Sequence, residues 1–177
     1  MKFVIFHGAY GSPDENWFPW LKKELKTLKQ EVLVPPFPCE DWDRVNKTGP
    51  KLIAKKQNLS NWLDTFEKKV LSKIKRGEKV CFIGHSLGPV FILHVVDKYH
   101  LKLDCAYFVA PFLKVIKGEW QFYLVNKTFY RIDFNFEKLN KLIPKSYVFC
   151  SDNDPYLPKK YSLEFANKMK SEVIEVK

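Results

Sequence analysis

Gly84-His85-Ser86-Leu87-Gly88 sets a serine between two glycines. The apolar run Val80-Cys81-Phe82-Ile83 precedes it, as a buried strand would, and Pro89-Val90-Phe91-Ile92-Leu93-His94-Val95-Val96 follows, apolar enough for a buried helix. A serine on a sharp strand-to-helix turn has its hydroxyl pushed clear of the backbone, with the positive end of the next helix aimed at it. That geometry makes a nucleophile. Glycines suit such a turn because a side chain would crowd strand against helix. Two other clusters follow apolar runs. One is His7-Gly8-Ala9-Tyr10-Gly11-Ser12, which lacks the G-x-G-x-x-G and the lysine of a phosphate loop. The other is Ser151-Asp152-Asn153-Asp154-Pro155-Tyr156-Leu157-Pro158, where either carboxylate could orient a base or simply form a turn.

The elements that must hold these clusters are legible as alternating runs. Residues 3–6, 32–34, 80–83, 103–109, 147–150 and 173–176 read as strands. Trp17, Trp20, Leu21, Leu25 and Leu28 form one face of a first helix, with Pro19 in its first turn. Leu59, Trp62, Leu63, Phe66, Val70, Leu71 and Ile74 repeat at three and four, an amphipathic stripe. Phe136, Leu139, Leu142 and Ile143 predict a short helix stopped by Pro144, and Leu163, Phe165, Ala166 and Met169 another. The alternation predicts an α/β fold: a three-layer α/β/α sandwich with a mostly parallel sheet of about six strands, covered on both faces. Ligands of such sheets bind outside the carboxyl ends of strands, where all three clusters fall.

Composition narrows the partners. The 177 residues predict one domain, and 46% hydrophobic with 28% charged residues fits a soluble globular chain. The net charge of +10 comes from lysines scattered over helix faces, a solvated surface without a nucleic-acid-binding signature. The cysteines Cys39, Cys81, Cys105 and Cys150 include no C-x-x-C, so no metal or redox spacing is expected, and three sit in strand-like runs. A reducing, cytoplasmic setting is expected, with no membrane span and no cofactor. The apolar start at residues 3–6 is too short for a signal peptide.

Taken with Asn16-Trp17-Phe18-Pro19-Trp20-Leu21-Lys22-Lys23-Glu24-Leu25, the three clusters carry a specific resemblance. The chain resembles the small single-domain serine hydrolases of the retinoblastoma-binding protein 9 type, over nearly its whole length. The resemblance implies a compact α/β-hydrolase fold with little or no lid, a Ser-Asp-His triad and hydrolysis of small esters or amides. It makes Ser86 the nucleophile and Asp154, directly before a proline, the acid, in preference to Asp152. The oxyanion donors are then the N–H of Leu87 and, from the first loop, of Ala9. His7 shapes that loop rather than acting as a base.

One part of the pattern is absent: no histidine follows Asp154. The resemblance places it after a strand that here is residues 173–176, with a final helix beyond. The expectation is a single domain over 1–177 lacking its C-terminal histidine loop and final helix. The rival expectations are a hydrolase fold kept as an interaction module, or a substitute among His7, His85, His94 and His100. His85 should point into the structure, His94 sits in a packed helix, and His100 ends that helix.

Residues 111–136 are dense in aromatics: Phe112, Trp120, Phe122, Tyr123, Phe129, Tyr130, Phe134 and Phe136. Most should anchor the segment to the core. Phe112 is expected in an acyl or leaving-group pocket, with Tyr10 and Trp17 on its opposite wall.

Overall fold

Each strand is a short apolar run, and the six pair side by side in one direction. The computed structural model describes residues 1–114, 120–131 and 133–176. Its strands are β1 (Lys2–Phe6), β2 (Glu31–Leu33), β3 (Val80–His85), β4 (Cys105–Val109), β5 (Ser146–Cys150) and β6 (Glu172–Glu175). Their order is β2-β1-β3-β4-β5-β6, all parallel. The chain turns one way from β1 to β2 and the other way from β3 onward. The crevice at that reversal lies outside the carboxyl ends of β1 and β3, the ends that carry His7-Gly8 and Ser86.

The helices are α1 (Phe18–Thr27), α2 (Trp42–Thr48), α3 (Leu59–Lys69), α4 (Gly88–Tyr99), α5 (Trp120–Asn126), α6 (Phe136–Leu142) and α7 (Lys159–Met169). Side chains alternate across the sheet. Val4, Phe6, Phe82, Phe108 and Val148 meet Trp62 and Phe66 of α3, Phe91 of α4, Leu139 of α6 and Phe165 of α7 in the main core. Ile5, Cys81 and Ile83 face the other way, onto Phe18, Leu21 and Leu25 of α1. Helix α4 is buried from Gly88 to Val96, as its apolar sequence requires.

The six strands and the alternation match expectation, with five differences. Trp20 is 62% exposed, and Leu28 is also exposed, so the stripe of α1 that packs on the sheet is buried Phe18 with half-buried Leu21 and Leu25. The stripe over 59–74 is two pieces: α3 stops at Lys69 and a 3₁₀ turn covers Leu71–Lys73. Helix α2 is too short to show a stripe and buries only Val45, though Asp41 caps it by accepting the Arg44 N–H at 2.7 Å. Helix α5 hides in the aromatic segment, being apolar on most sides. The layer over the second face is also thinner than expected. Among the described residues α1 is its only helix, and Tyr107, Tyr147 and Phe149 are half-buried against one another on that face of β4 and β5.

Candidate functional site

Ser86 sits between β3 and α4 at φ 57, a left-handed conformation that strains any side-chain-bearing residue. Its N–H donates to Val109 O of β4 at 2.9 Å, so the sheet ladder holds the turn from one side. Among the described residues seven non-glycine positions have positive φ, and three, Lys29, His100 and Lys170, lie at helix ends. Of the others, Tyr10, Ser86 and Ala110 follow the ends of β1, β3 and β4, so strain gathers where the clusters meet.

The loop after β1 lies directly on the serine. A Cβ on Gly8 would stand 2.9 Å from Ser86 Cβ and 3.3 Å from Ser86 Oγ. Buried His7 fastens this loop with both ring nitrogens. Nε2 accepts the Phe37 N–H at 3.1 Å, so Nδ1 carries the proton and donates to Gly8 O at 2.9 Å. Burial holds the imidazole below its ordinary pKa. A ring so occupied cannot take the serine proton.

One residue of this loop's support had no signal in the sequence. The side chain of Gln57, wholly buried, accepts the Tyr10 N–H at 3.1 Å and donates to Asn126 Oδ1 at 3.1 Å. Tyr10 is held again at its other end, its hydroxyl donating to Gln121 O at 2.9 Å. With the Tyr10 N–H taken, Ala9 is left as the candidate donor beside Gly8. Leu87 heads α4, where N–H groups have no carbonyl within the helix to bond. Gln57→Ala removes the side chain that links the Tyr10 N–H to Asn126 Oδ1, and the expected cost is about 1–3 kcal/mol. Urea unfolding checks it, and an unchanged midpoint would show that the pair holds nothing.

The two acidic candidates differ sharply. Asp154 is half-buried, and its Oδ1 accepts the N–H groups of Tyr156 and Leu157, each at 2.9 Å. Among the described residues no donor reaches Oδ2, which is therefore open to a further partner. Asp152 is exposed and pairs with Lys159 at 3.0 Å, which also pairs with Glu175 at 2.7 Å. The structure thus gives Asp152 a surface ion pair and Asp154 a fixed carboxylate.

None of the four histidines hydrogen-bonds to Ser86 or Asp154 among the described residues. The His85 ring lies against Trp17 and Phe18, each at 6.0 Å; burial lowers its pKa while the Asp154 charge opposes that. His94 is buried against Phe134 and donates from Nε2 to Phe129 O at 2.8 Å. His100 closes the far end of α4, about 18 Å from the turn for twelve residues of helix. Of the expected pocket residues, Phe112 is buried in the main core near Tyr130, Trp17 packs beside His85, and Tyr10 meets Trp42 and Phe122. No group of three potential metal ligands occurs, and no helix is long and apolar enough to cross a membrane, among the described residues.

Comparison with known proteins agrees with this architecture. The chain is 25% identical to the protein YdeN of Bacillus subtilis (strain 168) over 179 residues, covering 99% of this chain and 82% of that one. The solved structure of the ydeN gene product superposes with a TM-score of 0.77 at 23% identity, covering 99% and 84% of the two chains. Est1E from Butyrivibrio proteoclasticus, solved with ferulic acid bound, gives 0.69 at 13%, covering 99% and 78%. Alpha/beta hydrolase domain-containing protein 10 from mouse gives 0.62 at 13%, covering 99% and 78%. These likenesses show the α/β-hydrolase fold. The family model for serine hydrolases matches residues 3–177, and the chain belongs to the serine hydrolase family.

Proposed function

We propose that this chain is a hydrolase of the retinoblastoma-binding protein 9 type, cleaving small esters or amides through an acyl-enzyme. Ser86 is the nucleophile, Asp154 the acid, and the N–H groups of Ala9 and Leu87 the oxyanion donors. The observation that carries the reading is the contact of Gly8 with a strained Ser86. It sets a loop of backbone donors against the hydroxyl that would attack. In the reaction a base takes the proton of Ser86 Oγ as the oxygen adds to the carbonyl carbon. The two N–H groups stabilise the resulting oxyanion, which collapses as the C–O or C–N bond breaks and the base returns its proton to the departing alcohol or amine. Water then repeats the sequence on the acyl-serine. Each oxyanion donor contributes typically about 10²–10³ in kcat.

The base in this reading is a histidine carried after β6, beyond Lys177, with a helix following it. Two observations support that extension. Asp154 Oδ2 has no donor, and the Tyr107, Tyr147 and Phe149 face of the sheet has no helix on it among the described residues. A helix laid there would complete the second outer layer.

Chemical rescue tests the proposal on the chain as it stands. Added 2-methylimidazole is expected to raise hydrolysis of p-nitrophenyl acetate above the free-imidazole background, and Ser86→Ala is expected to abolish that increment. An increment that survives Ser86→Ala removes the nucleophile assignment. No increment at all favours the second reading, an interaction module on a hydrolase fold, which the unbridged Ser86 and Asp154 motivate.

A further inference from the structure

Four aromatic rings from four separate segments meet beside the candidate site. Tyr10 comes from the loop after β1, Trp42 from α2, Phe122 from α5 and Tyr156 from the loop after β5. Tyr10 and Trp42 meet edge to face at 4.9 Å, and Phe122 lies 5.6 Å from each. Tyr156 completes the group, 6.4 Å from Phe122. Two of the rings are offered to solvent: Tyr156 is 74% exposed and Trp42 36%. Isolated exposed aromatics are ordinary, but a contiguous set drawn together from distant segments is a built surface.

The set is rigid and continuous with the site. Tyr10 follows Gly8 by two residues and is tied at N–H and hydroxyl to Gln57 and to Gln121 O. The Tyr156 N–H is held by Asp154 Oδ1. Helix α2 is bridged to α5 by Gln121 Nε2 donating to Asn46 Oδ1 at 2.7 Å, and a small core of Val45, Leu52 and Leu124 lies beneath, with Tyr10 packed against it. No lysine or arginine lies over the Trp42, Phe122 or Tyr156 ring among the described residues. The surface suits an uncharged planar ring, since stacking needs fixed partners and no competing cation.

We propose that the Tyr10, Trp42, Phe122 and Tyr156 cluster is a subsite for the uncharged aromatic group of an ester or amide substrate. The assignment of the group to a substrate rests on the hydrolase reading; the binding surface does not. N-benzylacetamide and N-(cyclohexylmethyl)acetamide share an amide and differ in planarity, so calorimetric binding to the intact chain isolates ring recognition. The benzyl compound is expected to bind more tightly, and Trp42→Ala and Tyr156→Ala are each expected to weaken it by roughly 2- to 12-fold. Trp42→Leu keeps apolar bulk beside Tyr10 and checks that the loss follows the ring rather than the loop. Trp20→Ala, on exposed α1, is expected to change nothing. Equal binding of the two amides, or an equal loss in Trp20→Ala, overturns the subsite. Benzyl binding that depends on Trp42 while Ser86 shows no rescued turnover keeps the subsite and removes the hydrolase reading. Rescued turnover with no preference for benzyl acetate over cyclohexylmethyl acetate does the reverse.

Discussion

Gly88→Ala is expected to destabilise the protein by about 2–3 kcal/mol, although alanine is the better helix former by about 1 kcal/mol. Gly88 opens α4, so propensity alone favours the substitution. Packing decides the sign. A Cβ there would stand 2.7 Å from Phe6 O, 3.1 Å from Phe6 Cβ and 3.3 Å from His7 O. Phe6 ends β1 and is fully buried, and β1 is held by β2 on one side and β3 on the other. The carbonyl cannot retreat, and α4, buried through Val96, cannot lift. Gly84 is equally confined, its added Cβ meeting Pro89 N at 2.7 Å. In a chain of this size the loss corresponds to a fall in Tm of about 4–12 °C. Gly77→Ala is the control. Its φ is 76 and nothing lies within 4 Å of an added Cβ, so only backbone strain of about 1–2 kcal/mol is expected. Thermal unfolding of both variants checks the account; equal losses would show that the turn is held by conformation and not by close approach. Because any shift of β1 also moves Gly8 off Ser86, imidazole-rescued turnover should fall in Gly88→Ala and persist in Gly77→Ala.

What the sequence made legible was local. Each strand carries at least two adjacent apolar residues, so all six could be found, with ends displaced by a residue or two, although only β1 and β3 are buried along nearly all of their length. The turn at Ser86 was legible because strand, glycines and helix are contiguous. What escaped is non-local. Gln57 meets Tyr10 and Asn126 across 47 and 69 residues, and no spacing within one segment announces such a bond. The cluster of Tyr10, Trp42, Phe122 and Tyr156 is likewise assembled by the topology. Helix α2 is made by its Asp41 cap and by docking Val45 beneath Tyr10, so its short segment carries no periodic stripe. Trp20 misled because its spacing on α1 is helical, yet α1 covers only one end of the sheet and leaves that edge in solvent.

Stability is expected to fall steeply as the pH drops from about 6.5 towards 5. His7, His85 and His94 all have pKa values lowered by burial. Unfolding frees each ring to take up a proton near its ordinary value of about 6.5, whereas the folded protein keeps it neutral. The unfolded state then binds more protons, so folding stability rises with pH through this window and is lost on acidification. Each fully retained difference contributes about 1.4 kcal/mol per pH unit. His7 and His94 are buried and His85 half-buried, and each adds to the slope until its folded ring protonates. Asp97, held low by Lys138 and Arg131, acts in the same direction but only below about pH 4, outside this window. Urea midpoints at pH 7.5, 6.5 and 5.5 measure the slope, and a flat series would mean the rings are not kept neutral. His94→Gln keeps a donor for Phe129 O without a titrating ring and is expected to lower the slope. His7 carries the same proton balance into the site. A proton on Nε2 would oppose the Phe37 N–H that it now accepts and would loosen the ring that holds Gly8 O. Gly8 lies against Ser86, so protonation of the His7 ring is expected to loosen the loop after β1 where it meets the serine.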